Sequence, residues 1–440
     1  MSIRYYIKLA LAYLSRFKGT IVLGILLGIA IFFIVRVVIP IVKVGEVTRI
    51  GLVGRYHTNE LPEGILDLIG NGLTKITEGG IVEPDIASSW ETPDKGKTWI
   101  FHLREDVLWQ DQKEVTSDTI SYDFSKVRIE KPDSKTLIFM LDEAFSPFPA
   151  VLTKPTFRKG LLGTGEWSVD KIIISGGYVR ELVLTDNSKN KKIYKFYPTI
   201  ERTKLAFKLG QVDAISEIYD PNPFADWKTV DLKGTANYNQ VVVLFFNVQD
   251  KLISEKALRQ ALAYAIDKDQ LGVRAFSPIS PNSWAFNPQV KPYTYDLSRA
   301  KELLADIPQE AKGNLALKIT STPQLLAIAE KIAKDWESIG MKPTVTVSSI
   351  VPTDFQVYLT IFDIPKDPDQ YPLWHSTQVE TNTNISAYKD LQVDKLLEDG
   401  RVELNLEERR KIYLDFQRFL LEDAPAVFLF HPTYYTIKRK

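Results

Sequence analysis

Hydrophobic positions along the chain fall into distinct regimes. Ile21–Val42 is one long apolar run, broken only by Arg36 and Pro40. From Val47 the pattern changes to short alternating stretches between Asp, Lys, Ser and Gly clusters, which predicts strands and tight turns. Thr48–Val53, Trp99–Leu103, Thr136–Leu141 and Ile193–Tyr197 are the strands expected there, with a short helix over Glu201–Leu209 stopped by Gly210.

The second half carries longer helical periodicities. Val241–Phe246 is continuously apolar, as a strand buried on both faces should be. Ser254 is placed to cap a helix running to about Gln270, whose stripe is Ala257, Leu258, Ala261, Leu262, Ala265 and Ile266. Asp296 caps a shorter helix carrying Ala300, Leu303 and Leu304. Gln324–Ile339 reads as helix, with Gly340 as its left-handed stop before the strand Thr344–Val347. Asn405 followed by Glu408 resembles a capping box; Pro425 ends the helix it opens, and Ala426–Phe430 returns to strand. The alternation predicts a mixed α/β chain of at least two lobes joined near Lys233–Gln240.

As a helix the N-terminal run reaches roughly 33 Å, enough for a hydrocarbon core of about 30 Å. Arg4, Lys8, Arg16 and Lys18 precede it, so the positive-inside rule puts the N-terminus in the cytoplasm and the remainder outside. No small-x-small cleavage site follows closely, which favours an uncleaved signal anchor over a removed signal peptide. Ile3, Tyr6, Ile7, Ala10, Tyr13, Leu14 and Phe17 recur at helical spacing ahead of the span, a stripe suited to the membrane interface.

Composition removes several functional classes. Lys+Arg 55 against Asp+Glu 55 gives no net charge, which argues against a nucleic-acid partner. The absence of cysteine excludes disulfides, thiolate metal sites, a cysteine nucleophile and lipid attachment through an N-terminal cysteine. Four dispersed histidines, His57, His102, His375 and His431, do not form a metal pattern. No phosphate loop, serine-hydrolase elbow or zinc-protease motif is present, and Asp363, Asp367 and Asp369 lack the glycine and glutamate of a calcium loop. Nothing in the chain points to an enzyme, and no cofactor or metal is expected. Aromatic residues in two Pro- and polar-rich loops, Trp284 with Tyr293 and Tyr295, and Phe362 with Tyr371 and Trp374, suit either ligand stacking or packing beneath the loops.

A series of segments is more specific by its order. Glu83–Glu91, Lys97–Val107 and Trp109–Ile120 are followed by Gly163–Trp167, Leu209–Asp213, Phe246-Asn247, Leu258–Asp267 and Tyr295–Leu304. Asp394–Leu397 and the helix Arg410–Pro425 complete it. This series resembles the extracellular solute-binding proteins of family 5, the peptide- and nickel-binding receptors of ABC importers.

The resemblance implies a two-lobed periplasmic-binding-protein-like fold of type II, peptide-binding class, here with a shortened inserted subdomain and preceded by one transmembrane helix. The expected division is 1–20 cytoplasmic or interfacial, 21–42 signal anchor, 46–237 first lobe with the reduced insertion, 238–425 second lobe, and 426–440 returning to the first. Gln112 stands where the family has glycine, so the turn at Asp111 is expected to differ. The peptide-binding members hold the ligand's α-amino group with an aspartate before an Asp-Pro pair; Asp363 precedes Asp367-Pro368 but is offset, with Ile364 at the nominal place. Residues carried over from the family as cleft positions are Tyr56, His57, Thr58, Tyr238, Thr360, Ile361, Phe362 and Asp363; Trp284 and Trp374, from the aromatic loops, are further cleft candidates.

The function so implied is a membrane-anchored, extracytoplasmic receptor that closes over oligopeptides or another small solute and delivers them to an ABC transporter permease. A surface sensor, adhesin or holdase that kept the fold but lost transport is the alternative.

Overall fold

The structure, a computed structural model, describes residues 14–41, 45–308 and 315–440; the side chains of 34–41 lie outside the description. Two sheets organise the chain beyond Gly45. The first has seven strands in the spatial order Val230–Ala236, Thr433–Arg439, Ala214–Ile218, Val47–Val53, Lys191–Tyr197, Tyr178–Thr185 and Ser168–Ser175. Val47–Val53 lies parallel to Lys191–Tyr197, with Val47 opposite Lys191, and so occupies the middle of the sheet. The second sheet has six strands in the order Val273–Arg274, Ala426–His431, Gln240–Phe246, Val357–Asp363, Ala316–Ser321 and Lys342–Val347.

The apolar run Val241–Phe246 explains how the second lobe is built. Val242, Leu244 and Phe246 enter one core with the helices Lys256–Tyr264 and Leu326–Glu337, whereas Val241, Val243 and Phe245 enter another with the helices Leu391–Val402 and Leu406–Asp423. A period of two with no polar member is what helices on both faces of a central strand require.

A third sheet, of four strands, forms the inserted subdomain: Ala87–Glu91, Thr98–Leu103, Thr136–Leu141 and Val127–Asp133. It has its own core around Trp99, Phe101, Trp109, Leu137 and Phe139. Val127–Asp133 was not expected from the pattern. It is an edge strand whose residues are mostly exposed, so hydrophobic alternation is weak there.

Most predicted elements recur with ends shifted by a residue or two. Asp296 accepts from the backbone of Arg299 at 2.9 Å, and Asn405 accepts from Glu407 and Glu408, as N-caps do. Gly340 takes φ 92° after the helix Leu326–Glu337. Gln112 takes φ 64°, so the turn keeps a left-handed residue even though it is not glycine.

Two expectations need correction. The helix expected over Ser254–Gln270 spans only Lys256–Tyr264, and Ser254 does not cap it. Its end is drawn in by Lys268, whose buried ammonium donates to the carbonyls of Ala263, Ile266 and Tyr293 at 2.6, 3.0 and 2.6 Å. The return to the first lobe falls at Pro432 instead of Ala426, because Ala426–His431 pairs with Gln240–Phe246 before Thr433–Arg439 crosses back.

At the N-terminus Lys18–Ile41 forms one helix of 24 residues. Val22, Leu23, Ile25, Leu26, Ile29, Phe32 and Phe33 on it are all exposed. Among the described residues no helix is long and apolar enough to cross a membrane. Of the expected span Ile21–Val42, the side chains beyond Phe33 lie outside the description, as does the stripe from Ile3 to Tyr13.

Candidate functional site

The lobes are joined by two adjacent crossings, Asn237–Asn239 and Pro432. Asn237 donates its backbone N–H to Pro432 at 2.8 Å, tying one crossing to the other. His431 Nδ1 lies 2.7 Å from the carbonyl of Gln240, and Tyr238 packs edge-on against the His431 ring at 5.0 Å. Burial holds the His431 pKa below its ordinary value, opposed by that carbonyl. The junction therefore has defined contacts in this arrangement.

Away from the junction the lobes meet again. Trp284 of the second lobe donates its backbone N–H to Gly79 at 3.0 Å, and Gly80 takes φ 76° where the tip of the two-stranded hairpin Thr74–Ile76/Val82–Pro84 approaches Ser283. Lys366 forms an ion pair with Glu63 across the gap. Farther out, Ser146 of the subdomain donates to the carbonyl of Arg401 at 2.7 Å. The Arg401 guanidinium lies 4.9 Å from the Phe145 ring centre and 4.4 Å from that of Tyr371.

Between junction and outer contacts lies a cavity of about 1000 Å³. The first lobe contributes Asp67, Asn71, Thr74, Lys75 and Asp85; the second contributes Asn239, Ser280, Asn282, Ser283 and Lys366. The Gly163-Thr164-Gly165 segment builds part of this wall from behind. A Cβ at Gly163 or Gly165 would overlap the carbonyls of Ile69 and Leu68, so only glycine lets the two backbones touch. Thr164 then bonds Asn71 twice, at 3.1 and 2.9 Å, and Asn71 donates to Asp85 at 3.0 Å. Polar side chains held this firmly can replace a solute's hydration without reorganising.

None of the ten candidate cleft residues lines this cavity. Tyr56 bonds Val53 and packs on Phe196. His57 stacks on Tyr178 at 4.6 Å, against the outer hairpin of the first lobe, and Thr58 is exposed in the turn. Tyr238 and Asp363 sit at the junction; Thr360, Ile361 and Phe362 lie on the strand leading to it, with Phe362 against Phe245. Trp374 is buried in the core of the second lobe. Trp284 lines a neighbouring pocket of about 220 Å³ with Trp90, Trp99 and Arg409.

The three aspartates of the acidic stretch separate. Asp363 accepts from Gln240, Asp367 pairs with Arg409, and Asp369 faces Arg401 at 3.2 Å. Burial raises the Asp369 pKa and Arg401 opposes it. Among the described residues no group of His, Asp or Glu is gathered so as to hold a metal ion.

Asp67, Asn71, Asp85, Asn282 and Lys366 were missed because polar residues in turns look alike whether they face solvent or a cavity. Two signals lay nearby: Asp85 falls inside the segment Glu83–Glu91, and Lys366 follows Asp363 within the Asp-Pro region.

A two-lobed α/β architecture with a cavity at a double-crossing junction defines a binding protein of the hinged, two-domain class. The chain matches the description "Bacterial extracellular solute-binding proteins, family 5 Middle" over residues 82–128 and 120–382, and it belongs to that family. The dipeptide-binding protein of Escherichia coli (strain K12) is 24% identical over a match that covers 82% of each chain. The crystal structure of CtaP from Listeria monocytogenes, an ABC transporter substrate-binding protein, superposes with a TM-score of 0.74 at 19% identity, covering 90% of this chain and 94% of that one. NikZ from Campylobacter jejuni, in complex with Ni(L-His), gives 0.71 at 22% identity, covering 89% and 94%. The protein is a solute-binding protein and not an enzyme, and its family is extracytoplasmic.

Proposed function

We propose that the protein is a membrane-anchored receptor of an ABC importer, capturing oligopeptides between its lobes and passing them to a permease. The observation that carries this reading is the cavity of about 1000 Å³ between the lobes. It lies at the upper end of the usual range for small-molecule sites, and its walls are polar loops able to meet peptide groups. Membership of the family and the likeness to a dipeptide-binding protein support peptides as the solute class. The lobes close because a solute contacting both walls binds the closed arrangement more tightly than the open one.

The anchor rests on the helix Lys18–Ile41. Along its described part, from Val22 to Phe33, the apolar side chains are exposed, an arrangement that is stable in lipid and costly in water.

Purification of the full chain in lipid nanodiscs from its own host, followed by native mass spectrometry, tests the reading. Co-purifying peptides, or a rise in melting temperature with a peptide library, are the expected result. Neither peptide nor shift across the library overturns it.

A further inference from the structure

We infer that the end of the first sheet carrying the turn 186–190 is a docking surface for anionic lipid headgroups, so that the first lobe stands on the membrane and only the second is free to swing. This rests on the reading of Lys18–Ile41 as a membrane anchor and deepens it.

The length of chain between anchor and body sets the geometry. The helix ends at Ile41 and the described body begins at Gly45. Four chain steps separate their Cα atoms, which at full extension is about 15 Å. Gly45 is itself fixed to the body: a Cβ there would overlap the carbonyl of Lys189, so its backbone lies directly against the turn 186–190. Glu46 continues the attachment. Its N–H donates to the Asn190 side chain at 2.9 Å, and its carbonyl accepts from the Lys191 N–H at 2.7 Å. Val47 then opens its strand opposite Lys191, in the middle of the sheet. This end of the lobe has no slack with which to leave the anchor.

The same end is basic. Strands Val47–Val53, Lys191–Tyr197 and Ala214–Ile218 begin there and Thr433–Arg439 finishes there, with Ala214 opposite Lys438. Arg49 is paired with Asp213, Lys191 with Asp170, and Lys440 lies 3.7 Å from Asp231. Lys189, Lys208 and Lys438 are exposed and form no ion pair with a described residue, and Lys192 lies over the Trp167 ring at 4.2 Å. Against them stand Glu46 and Asp186, and Asp186 is turned onto Asn190, accepting its backbone N–H and its side-chain amide at 2.8 Å. Leu209 is exposed beside Lys208 where the helix Ile200–Lys208 ends, an apolar side chain suited to the headgroup layer. Lysines within a Debye length of an anionic surface are attracted to it, and the short tether supplies that nearness as a high effective concentration.

The junction lies at the other end of these strands. Val230 opposite Arg439 marks the membrane end, and Ala236 opposite Thr433 the end from which the chain crosses to the second lobe. Docking therefore holds the first wall of the cavity still and leaves the hinge and the second lobe clear of the bilayer.

The chain has no cysteine, so a single introduced thiol carries a fluorophore to a chosen place. Ser188→Cys labels the turn. Ser175→Cys labels the tip of the hairpin Ser168–Ser175/Tyr178–Thr185, at the far end of the same sheet. Each labelled full chain is placed in nanodiscs containing a headgroup quencher, made of phosphatidylcholine alone or mixed with phosphatidylglycerol. The label at 188 is expected to be quenched about twofold or more strongly in the anionic discs, with the difference removed by about 0.5 M sodium chloride. The label at 175 should be quenched weakly in both. Lys189→Glu combined with Lys438→Glu should lower quenching at 188 in anionic discs to the phosphatidylcholine level. Quenching at 188 that ignores lipid charge, or that does not exceed quenching at 175, overturns the inference while leaving the anchor intact. An undiminished anionic preference in the double variant does the same. A chain that does not enter the discs overturns the anchor reading and this inference with it.

Discussion

Gln240 Nε2 donates to Asp363 at 2.7 Å, while the oxygen of the same amide accepts from the Tyr434 hydroxyl at 2.8 Å. Asp363 ends a strand of the second lobe and Tyr434 begins one of the first, so one side chain spans the junction. Burial and the Asp363 charge push the Tyr434 hydroxyl up to about 12, which keeps it a donor at neutral pH. Replacing Gln240 by leucine removes both bonds and should cost about 1–3 kcal/mol. Urea unfolding measures the loss, and small-angle scattering should show a larger radius of gyration if the bonds also hold the lobes at this angle.

Arg409 and Asp367 form a second fixed point. Their side chains are 7% and 14% exposed, and the guanidinium also donates to the carbonyl of Gly400 at 2.8 Å. Burial alone would lower the Arg409 pKa; Asp367 and Tyr413 more than reverse this. Asp367→Ala leaves a buried cation without its partner and should destabilise the protein by about 3–5 kcal/mol. A loss under about 1 kcal/mol in chemical denaturation would show that water reaches the pair.

Lys268 predicts a pH dependence. Burial, with a smaller contribution from Arg274, pulls its pKa down to about 7 from 10.5. Below pH 7 folded and unfolded chains both hold the proton, and stability does not respond to this group. Above pH 7 the folded chain releases it while the unfolded chain keeps it, so the unfolded state binds more protons and stability rises with pH. Between pH 7 and 9 the gain is about 2 kcal/mol. The rise should vanish in Lys268→Met, which itself is less stable because three buried carbonyls lose their donor.

Arg401 links subdomain to second lobe by stacking between Phe145 and Tyr371, with His375 stacked on the far side of Tyr371 at 4.0 Å. The contact exists only when the lobes are together, so Arg401→Ala favours the open arrangement. Solute affinity should fall by roughly 5- to 30-fold, corresponding to about 1–2 kcal/mol of lost cation–ring attraction. Stopped-flow binding should place the change in the dissociation rate. A change confined to association would contradict a closing contact.

Membrane association is expected to depend on the N-terminal helix. The full chain should stay in the membrane pellet after alkaline carbonate extraction, and substitution of two lysines for Leu26 and Ile29 should release it to the supernatant.

Much of this was legible from local pattern. Val241–Phe246 had to be a central strand because six apolar residues in a row leave no polar face, and Asn405 and Asp296 had to start helices because their side chains supply the missing backbone acceptors. The order of motifs from Glu83 to Pro425 carried the family, since each segment answers a packing demand of the same fold. Gly163 and Gly165 illustrate this: their spacing reflects backbone contact with Leu68 and Ile69.

Tertiary structure alone decided which residues face the cavity. Its walls are assembled from 67–85, 153–155, 239, 280–283 and 365–366, segments far apart in sequence and without periodicity, so no local signal distinguishes Asn71 from any solvated turn residue. The same holds for the aromatics: Trp374 and Trp284 stand in similar loops, yet one is enclosed beneath the second lobe's sheet and the other meets the opposite lobe. It holds for Asp363 as well: its donor, Gln240, 123 residues away in the chain, is brought opposite it by the pairing of two strands in the second lobe's sheet, which no local pattern shows.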